Sequence, residues 1–482
     1  MLRTMTLLFI TGFWLTMTSR LIQKEFFEIS TYETSSQWIP LTTTAIREDY
    51  KAIYLGQERI GFEYIGMQKW DNKDGFFELG HNSFMSFSLL GQPSEMFIKD
   101  RAWLNQDLSL KSFRLLVKTK DYSTEMEGQV TAHHINVVLK EKDSEPVRKM
   151  IPVEGKVLYS EALEQLWTPD NLRIGKNGHF KVFHPLTLSV DDIHFHVERK
   201  EKIELRHEIQ EAYVVILGND LSETRSWVNQ DGITLRKETA NGLIIEREPA
   251  WETFDALRVK SASPLDLPNF YSVPSNMILN DPANLQELHV RVEMPGKTND
   301  FTLKKQKTEG LEAILFTQLK KEEAAEFLKA NEFIQSDDAK ILQQAKTIVG
   351  DETSVLRAAL KIMAWVHHDI KPVPTANIPS AKQVLAVKKG DCKEFTVLFT
   401  SLARAAGIPT QMIAGLVYQN GRFFYHAWAA VYLNQWIYVD PTFNQMPVDV
   451  THIPLVIGNL NEQIALASKI GRIKVTVVED HS

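Results

Sequence analysis

Two periodicities divide the chain. From about residue 45 to about residue 294, apolar and polar positions alternate over short segments, 51–55, 61–68, 112–118, 135–140, 212–217 and 242–247, separated by turn residues. Alternation with period two sends successive side chains to opposite faces, so these segments predict antiparallel strands with one face buried. Residues 50–61 and 227–235 read as hairpins, and 103–110 (Trp103-Leu104-Asn105-Gln106-Asp107-Leu108-Ser109-Leu110) echoes the second. The echo implies two related β-rich units, 40–160 and 180–300, divided by the segment 158–178 of helix and loop character. Beyond residue 320 the period lengthens. Residues 321–331, 337–349 and 351–370 have helix-forming composition, with Val355, Leu356, Leu360, Met363 and Val366 on one apolar face. The stretch 371–379 holds three prolines and leads to Ser380, which caps a short helix 381–388; residues 472–478 read as a final strand. The expected class is α+β, an antiparallel β-rich N-terminal region followed by a mixed domain at 320–482.

Within that domain one helix start is strongly marked. Asp391 supplies an N-cap and Glu394 follows at the spacing of a capping box, making Cys392 the first helical residue. Phe395, Leu398, Phe399, Leu402 and Ala406 repeat on one face, and Gly407 with Pro409 stops the helix. A helix buried on that face is expected, with its N-terminal end open to a cleft. Downstream, 423–433 and 436–440 are rich in aromatic and β-branched residues and read as a hairpin. Its turn decides whether His426 and Asp440 share a face. A three-residue loop at 432–434 sets them directly opposite, whereas a two-residue loop of Asn434 and Gln435 puts them on opposite faces. An odd-length turn, or a bulge that restores the parity, is expected.

Cys392 is the sole cysteine of the 482 residues. The unpaired N–H groups at a helix start favour the thiolate, which is the attacking form. With His426 to take the thiol proton and Asp440 to orient the imidazole, the three make a candidate relay for attack on a carboxamide. The acyl-enzyme would be released by water or by an amine, and backbone N–H groups at the helix start, that of Cys392 included, are natural donors to the oxyanion. Singly, Cys392 reads as a small buried hydrophobe, His426 as a sheet residue and Asp440 as a turn former before Pro441. Their order, spacing and helix-start placement together favour the relay. Trp428, on the His426 face, reads equally as a shield for the imidazole or as core, and Asp449 with His452 as a loop-stabilising pair.

These residues resemble the transglutaminase-like branch of the papain-like fold, in its bacterial form. The resemblance is carried by Lys389-Gly390-Asp391-Cys392 with Glu394, by Arg404-Ala405-Ala406-Gly407-Ile408-Pro409, by His426-Ala427-Trp428, and by Trp436 through Asp440-Pro441-Thr442. It covers roughly residues 340 to 460. It implies a Cys-bearing helix packed on an antiparallel sheet, with Cys392 as nucleophile, His426 as base and Asp440 as orienting carboxylate. It also implies that the segment holding Asp449 and His452 is one often seen after the aspartate in bacterial relatives. Cross-linking does not follow, because many members are hydrolases. Two features depart from typical members: Lys393 follows the cysteine where they carry an aromatic, and no clustered acidic loop of the calcium-binding kind is present. Trp365 reads as core, which leaves the oxyanion-assisting indole of those members without a counterpart.

Composition sets the frame. A content of 44% hydrophobic and 24% charged residues is that of a globular protein, and the length calls for two to three domains. The net charge of -7, without a basic stripe, argues against a nucleic-acid partner. Arg3 precedes an apolar run at 5–17, shorter than the roughly 20 residues of a spanning helix. Residues 1–22 therefore read as a signal peptide or short membrane anchor, with the protein periplasmic or anchored facing the periplasm. His194 and His196 share a strand face, and His133-His134 and His367-His368 are adjacent pairs, but no third ligand is close in sequence. Neither a metal nor a cofactor is expected. The expected partner is a protein or peptide substrate, of the cell envelope if export holds, with membrane association through the N-terminus. Three readings stand: a thiol acyltransferase or amidase acting on protein or peptide carboxamides, a cysteine peptidase on the same fold, and a non-catalytic cell-envelope binding protein.

Overall fold

The computed structural model describes residues 45–481 except 70–76, 90, 121, 142–145, 220–222, 254–264, 374–379, 459–465 and 467–468. The expected signal or anchor segment lies outside the described residues. Among those described, no helix is long and apolar enough to cross a membrane.

The alternating region becomes one sheet of fifteen strands. Eight of these, from Ala45–Leu55 to Val147–Pro152, run as a meander, and six more, from Asn177–His184 to Leu243–Glu248, form a second. The two meet where Ala45–Leu55 pairs antiparallel with Leu243–Glu248, Tyr50 opposite Glu248 and Leu55 opposite Leu243. The two β units of the sequence are thus halves of one hydrogen-bonded ladder. Their echo extends to the turns. The Asn105 N–H bonds the Ser109 carbonyl at 2.9 Å and that of Leu108 bonds Asn105 at 2.9 Å, while Asn229 bonds Ile233 at 2.9 Å and Gly232 bonds Asn229 at 3.0 Å. Leu108 (φ 63°) and Gly232 (φ 81°) adopt the same left-handed backbone, and an irregularity in pairing precedes each turn.

The sheet curls until its halves share a core. Phe113 lies 5.6 Å from the Tyr159 ring and 5.2 Å from that of Phe183, and all three are buried. Between the halves, the short strand Leu158–Tyr159 runs into a 3-10 helix, Ser160–Leu166, which delivers Glu161 and Glu164 to a buried ionic network. Lys51, 1% exposed, donates to Glu63 at 3.0 Å and to Glu164 at 2.5 Å, and Lys237 bonds Glu164 at 2.8 Å. His81 lies 3.7 Å from Glu63 and 3.6 Å from Glu161. Burial alone would raise the Glu63 pKa, but Lys237 and Lys51 outweigh it and hold the carboxyl well below its usual value. The pairing is obligatory, since an uncompensated buried ion costs several kcal/mol.

The helical stretch forms as expected with one correction: Lys321–Leu328 is a kinked 3-10 segment, with Ala324 at φ -136°. Helix α1 (Ala339–Val349) starts at Asp338, whose side chain accepts from the Lys340 and Ile341 N–H groups, and α2 (Val355–Asp369) starts at Ser354. They are followed by α3 (Ala381–Val387) and α4 (Cys392–Ala405). Beside them lies a sheet of β1 (Thr410–Gln419), β2 (Arg422–Tyr432), β3 (Trp436–Val439) and β4 (Ile453–Ile457), with β1 between β2 and β4, and β3 and Val273–Pro274 paired to β2. Sequence periodicity buried α4 on one face. In the structure every residue from Glu394 to Ala403 is buried, because α1, α2 and α3 pack against it as well as β1 and β2. A three-stranded sheet, Glu287–Met294, Lys297–Lys304 and Lys474–His481, packs Leu288, Val290, Val475 and Val477 against Leu416, Phe423 and Ile453. The class is α+β, rich in strands.

Among the contacts that tie the large sheet to the C-terminal half are two polar ones between residues far apart in sequence. The buried Tyr122 hydroxyl donates to the Lys389 carbonyl, and Lys149 pairs with Glu332 at 2.5 Å. For the ionic network, Lys51→Met leaves Glu63 and Glu164 short of a cation and is expected to cost about 3 kcal/mol of stability. A lowered urea midpoint would show it, and an unchanged midpoint would mean the network does not stabilise the fold.

Candidate active site

Helix α4 begins with the expected cap. The Asp391 side chain accepts from the Lys393 N–H at 3.0 Å, and the Glu394 carboxylate accepts from the Asp391 N–H at 2.9 Å. Gly390 makes this fold-back possible, since a Cβ there would stand 2.2 Å from the Glu394 Cβ. Cys392 is consequently the first helical residue, and it is half-buried. The Thr396 hydroxyl bonds the carbonyls of Cys392 at 2.7 Å and Ala427 at 3.0 Å, which fastens the start of α4 to β2 beside His426.

Strands β2 and β3 are joined by Leu433, Asn434 and Gln435, with Asn434 left-handed at φ 58°. Tyr432 pairs with Trp436 and Ala429 with Val439. The turn is odd, as expected, but begins one residue later than 432–434. Extending this register sets Asp440 opposite Trp428 and two places along from His426, on the same face. Such diagonal neighbours remain within reach. The His426 Nε2 meets Asp440 Oδ2 at 2.6 Å, with His426 8% exposed and Asp440 0%.

Asp440 is saturated with donors. Its Oδ1 accepts the N–H groups of Thr442 at 2.7 Å and Phe443 at 3.2 Å, and its Oδ2 faces His426 and, at 3.2 Å, His452 Nε2. Burial would raise the carboxyl pKa, but His426 and His452 outweigh it and hold the group well below the usual carboxylate range. With Nε2 engaged on Asp440, Nδ1 is the His426 ring nitrogen turned away from that carboxylate.

The thiol itself departs from expectation. Burial first, then the Asp391 charge, push the Cys392 pKa far up, and Lys393 and a backbone hydrogen bond from Ala427 oppose this without prevailing. A helix start favours a thiolate in general, but this one carries the two carboxyls of its own capping box in a buried setting. Both causes favour the neutral thiol of Cys392 over its thiolate. Glu394 feels the same setting: burial, then Asp391, push it up to about 8.

Aromatic rings hold the imidazole. Phe443 stacks on His426 at 4.8 Å and 16°, and Trp428 lies 6.0 Å away at 21°. Trp428 fills both roles weighed for it, flanking the imidazole and packing with Ile413, Ala430 and Val448. Gly415, paired with His426 across β1, admits it, since a Cβ there would stand 2.7 Å from the indole and 2.1 Å from the Ile453 carbonyl. Phe443 was missed in the sequence because the tight turn capped by Asp440, not a periodicity, brings it back. His367 supports that turn through a 3.1 Å bond between its Nδ1 and the Thr442 carbonyl. The pairing of Asp449 with His452 is present at 3.3 Å, but the same imidazole also reaches Asp440. Trp365 packs at the edge of the core.

Donor atoms of His426, Asp440 and His452 lie within 4.8 Å of one another, as do those of His289, Glu479 and His481. The first set is already engaged in hydrogen bonds among its own members. His194 and His196 are exposed on the strand Ser189–Leu205, with His194 stacked on His179 at 5.8 Å. A cavity of about 380 Å³, lined by Tyr50, Arg206, Gln210, Arg247 and Glu248 among others, lies in the large sheet and includes none of the Cys392 cluster.

Residues 343–441 match the model of the transglutaminase-like superfamily, so the chain carries a transglutaminase-like domain there. That match supports a thiol-dependent enzyme in general. Among solved structures, the chain is similar to a Cytophaga hutchinsonii protein assigned as a cysteine protease, at 15% identity over 64% of this chain and 80% of that one, with a TM-score of 0.31. It is also similar to a β-barrel-like domain of unknown function from Brucella abortus, at 8% identity over 42% of this chain and 94% of that one, TM-score 0.31. A third is the periplasmic domain of TgpA from Pseudomonas aeruginosa bound to ethylmercury, at 11% identity over 57% and 86%, TM-score 0.23. No curated protein matches the chain.

The raised Glu394 pKa has a sign that can be measured. Its folded value, about 8, exceeds its ordinary value of 4.5, so the native state holds the proton more tightly. Its stabilisation is present below pH 4.5 and is lost as pH rises through about 8. Glu394→Gln keeps an acceptor for the cap and is expected to remove a loss of at most about 1.4 kcal/mol per pH unit. Urea midpoints of both proteins between pH 5 and 8 check this; parallel curves would refute it.

Proposed function

We propose that the protein is a cysteine enzyme that transfers or hydrolyses the acyl group of protein or peptide carboxamides, with Cys392 as nucleophile, His426 as base and Asp440 as orienting carboxylate in a papain-like arrangement. The observation that carries this reading is the buried 2.6 Å bond from His426 to Asp440, on the strand to which Thr396 fastens the start of the Cys392 helix. Because the thiol is neutral at rest, its proton moves to His426 Nδ1 as sulfur attacks the carboxamide carbon. The carbonyl oxygen gains the negative charge and is met by N–H groups at the start of α4. The amide nitrogen leaves as ammonia or an amine with the proton from His426, and water or an incoming amine then displaces sulfur from the thioester. Asp440 stays ionised throughout, holding Nε2–H and stabilising the imidazolium as it forms. The apolar run at 5–17 behind Arg3 supports an exported location for this activity.

The test is incubation with a glutamine-containing peptide and a labelled amine. Amine incorporation supports transfer, ammonia release alone supports hydrolysis of the side-chain amide, and chain cleavage makes the protein a peptidase. Cys392→Ala is expected to abolish whichever activity is found, and Asp440→Asn to lower kcat by about 10²- to 10⁴-fold. Full activity in Cys392→Ala would sink the thiol mechanism.

A further inference from the structure

His452 occupies an unusual position. It is fully enclosed, its Nε2 lies 3.2 Å from Asp440 Oδ2, and its Nδ1 lies 3.3 Å from Asp449 Oδ1. A neutral imidazole has one N–H donor and one acceptor lone pair, so it would set a lone pair against a carboxylate on one side. In a buried site that repulsion is not screened by water. Only the imidazolium donates to both. Asp449 is itself anchored for this task, accepting from the Thr451 hydroxyl at 2.6 Å and from Gln445 Nε2 at 3.3 Å. The titratable groups facing His452 are Asp440, Asp449 and His426, whose ring centroid is 6.0 Å away.

We propose that His452 is a positioning residue, an imidazolium bridging Asp440 and Asp449 that offsets the Asp440 charge and thereby keeps His426 an unprotonated base. The inference rests on the pairing of Cys392 with His426 proposed above. Two histidines share Asp440 Oδ2, and a carboxylate already neutralised by one cation stabilises a second less. A neutral thiol needs a free base, not an imidazolium, as its resting partner, and His452 supplies that condition. The direction of its own titration agrees: burial would lower it, but the bonds to Asp440 and Asp449 push it up to about 9.

The experiment has two arms, both on the full chain. In the first, nitrogen-15 spectra of histidine-labelled wild type follow the ring of His452, assigned by its loss in His452→Gln. Both ring nitrogens are expected to carry protons at pH 7, and a neutral tautomer there in the wild type overturns the proposal. In the second, the rate of Cys392 alkylation by iodoacetamide is followed against pH in wild type, His452→Gln and His426→Ala. His452→Gln is expected to move the acid limb up by about one pH unit, because His426 then binds its proton more tightly. An acid limb that stays in place while His426→Ala abolishes it confines His452 to packing and overturns this inference alone. A profile indifferent to His426→Ala overturns both this inference and the proposed function.

Discussion

A carboxylate without solvent exposure persists as an anion only when its lone pairs find donors, and at Asp440 they find four. Two are backbone N–H groups of the turn it caps, and two are imidazoles. The turn carries Phe443 onto His426, the imidazoles come from β2 and from the residue just before β4, and α2 reaches the turn through His367. The ordering of β2, β3, β4 and α2 around one point thus follows from a single buried charge. Removing any one donor would leave the others more tightly bound to an anion that can no longer be matched.

The large sheet solves a related problem differently. One set of its buried charges is dispersed over Lys51, Glu63, Glu164 and Lys237, drawn from both meanders and from the 3-10 turn between them. Apolar contacts among Phe113, Tyr159 and Phe183 bring the halves together without strict geometry. The ion pairs add direction, since each is satisfied only when the three segments meet in one arrangement.

What could be read from the residues was what local chemistry decides. The capping box places Cys392 through Asp391 and Glu394 alone, and the parity of the β2–β3 turn follows from alternation. The turn's actual start was not legible. Asn434 takes the left-handed position and its side chain accepts the Lys320 N–H at 2.9 Å, a partner more than a hundred residues away. The upward push on the thiol was not legible either: a helix start is visible in the sequence, whereas the burial that acts with Asp391 on Cys392 is set by the tertiary fold. Alternation announced the strands of the β region, but it is the pairing of Ala45–Leu55 with Leu243–Glu248, distant in sequence, that joins the halves into one ladder. His452 looked like half of a local pair because its second partner arrives through the tertiary fold.

The contact between Tyr122 and the Lys389 carbonyl spans 267 positions of sequence and ends three residues before Cys392. Mechanically it is a strut. The tyrosine stands next to the strand Ser123–Val130 of a sheet stiffened by its neighbours, and the carbonyl belongs to the short segment that aims the helix start. The β region therefore acts as a frame against which the backbone leading into Cys392 is braced, three residues from the start of α4.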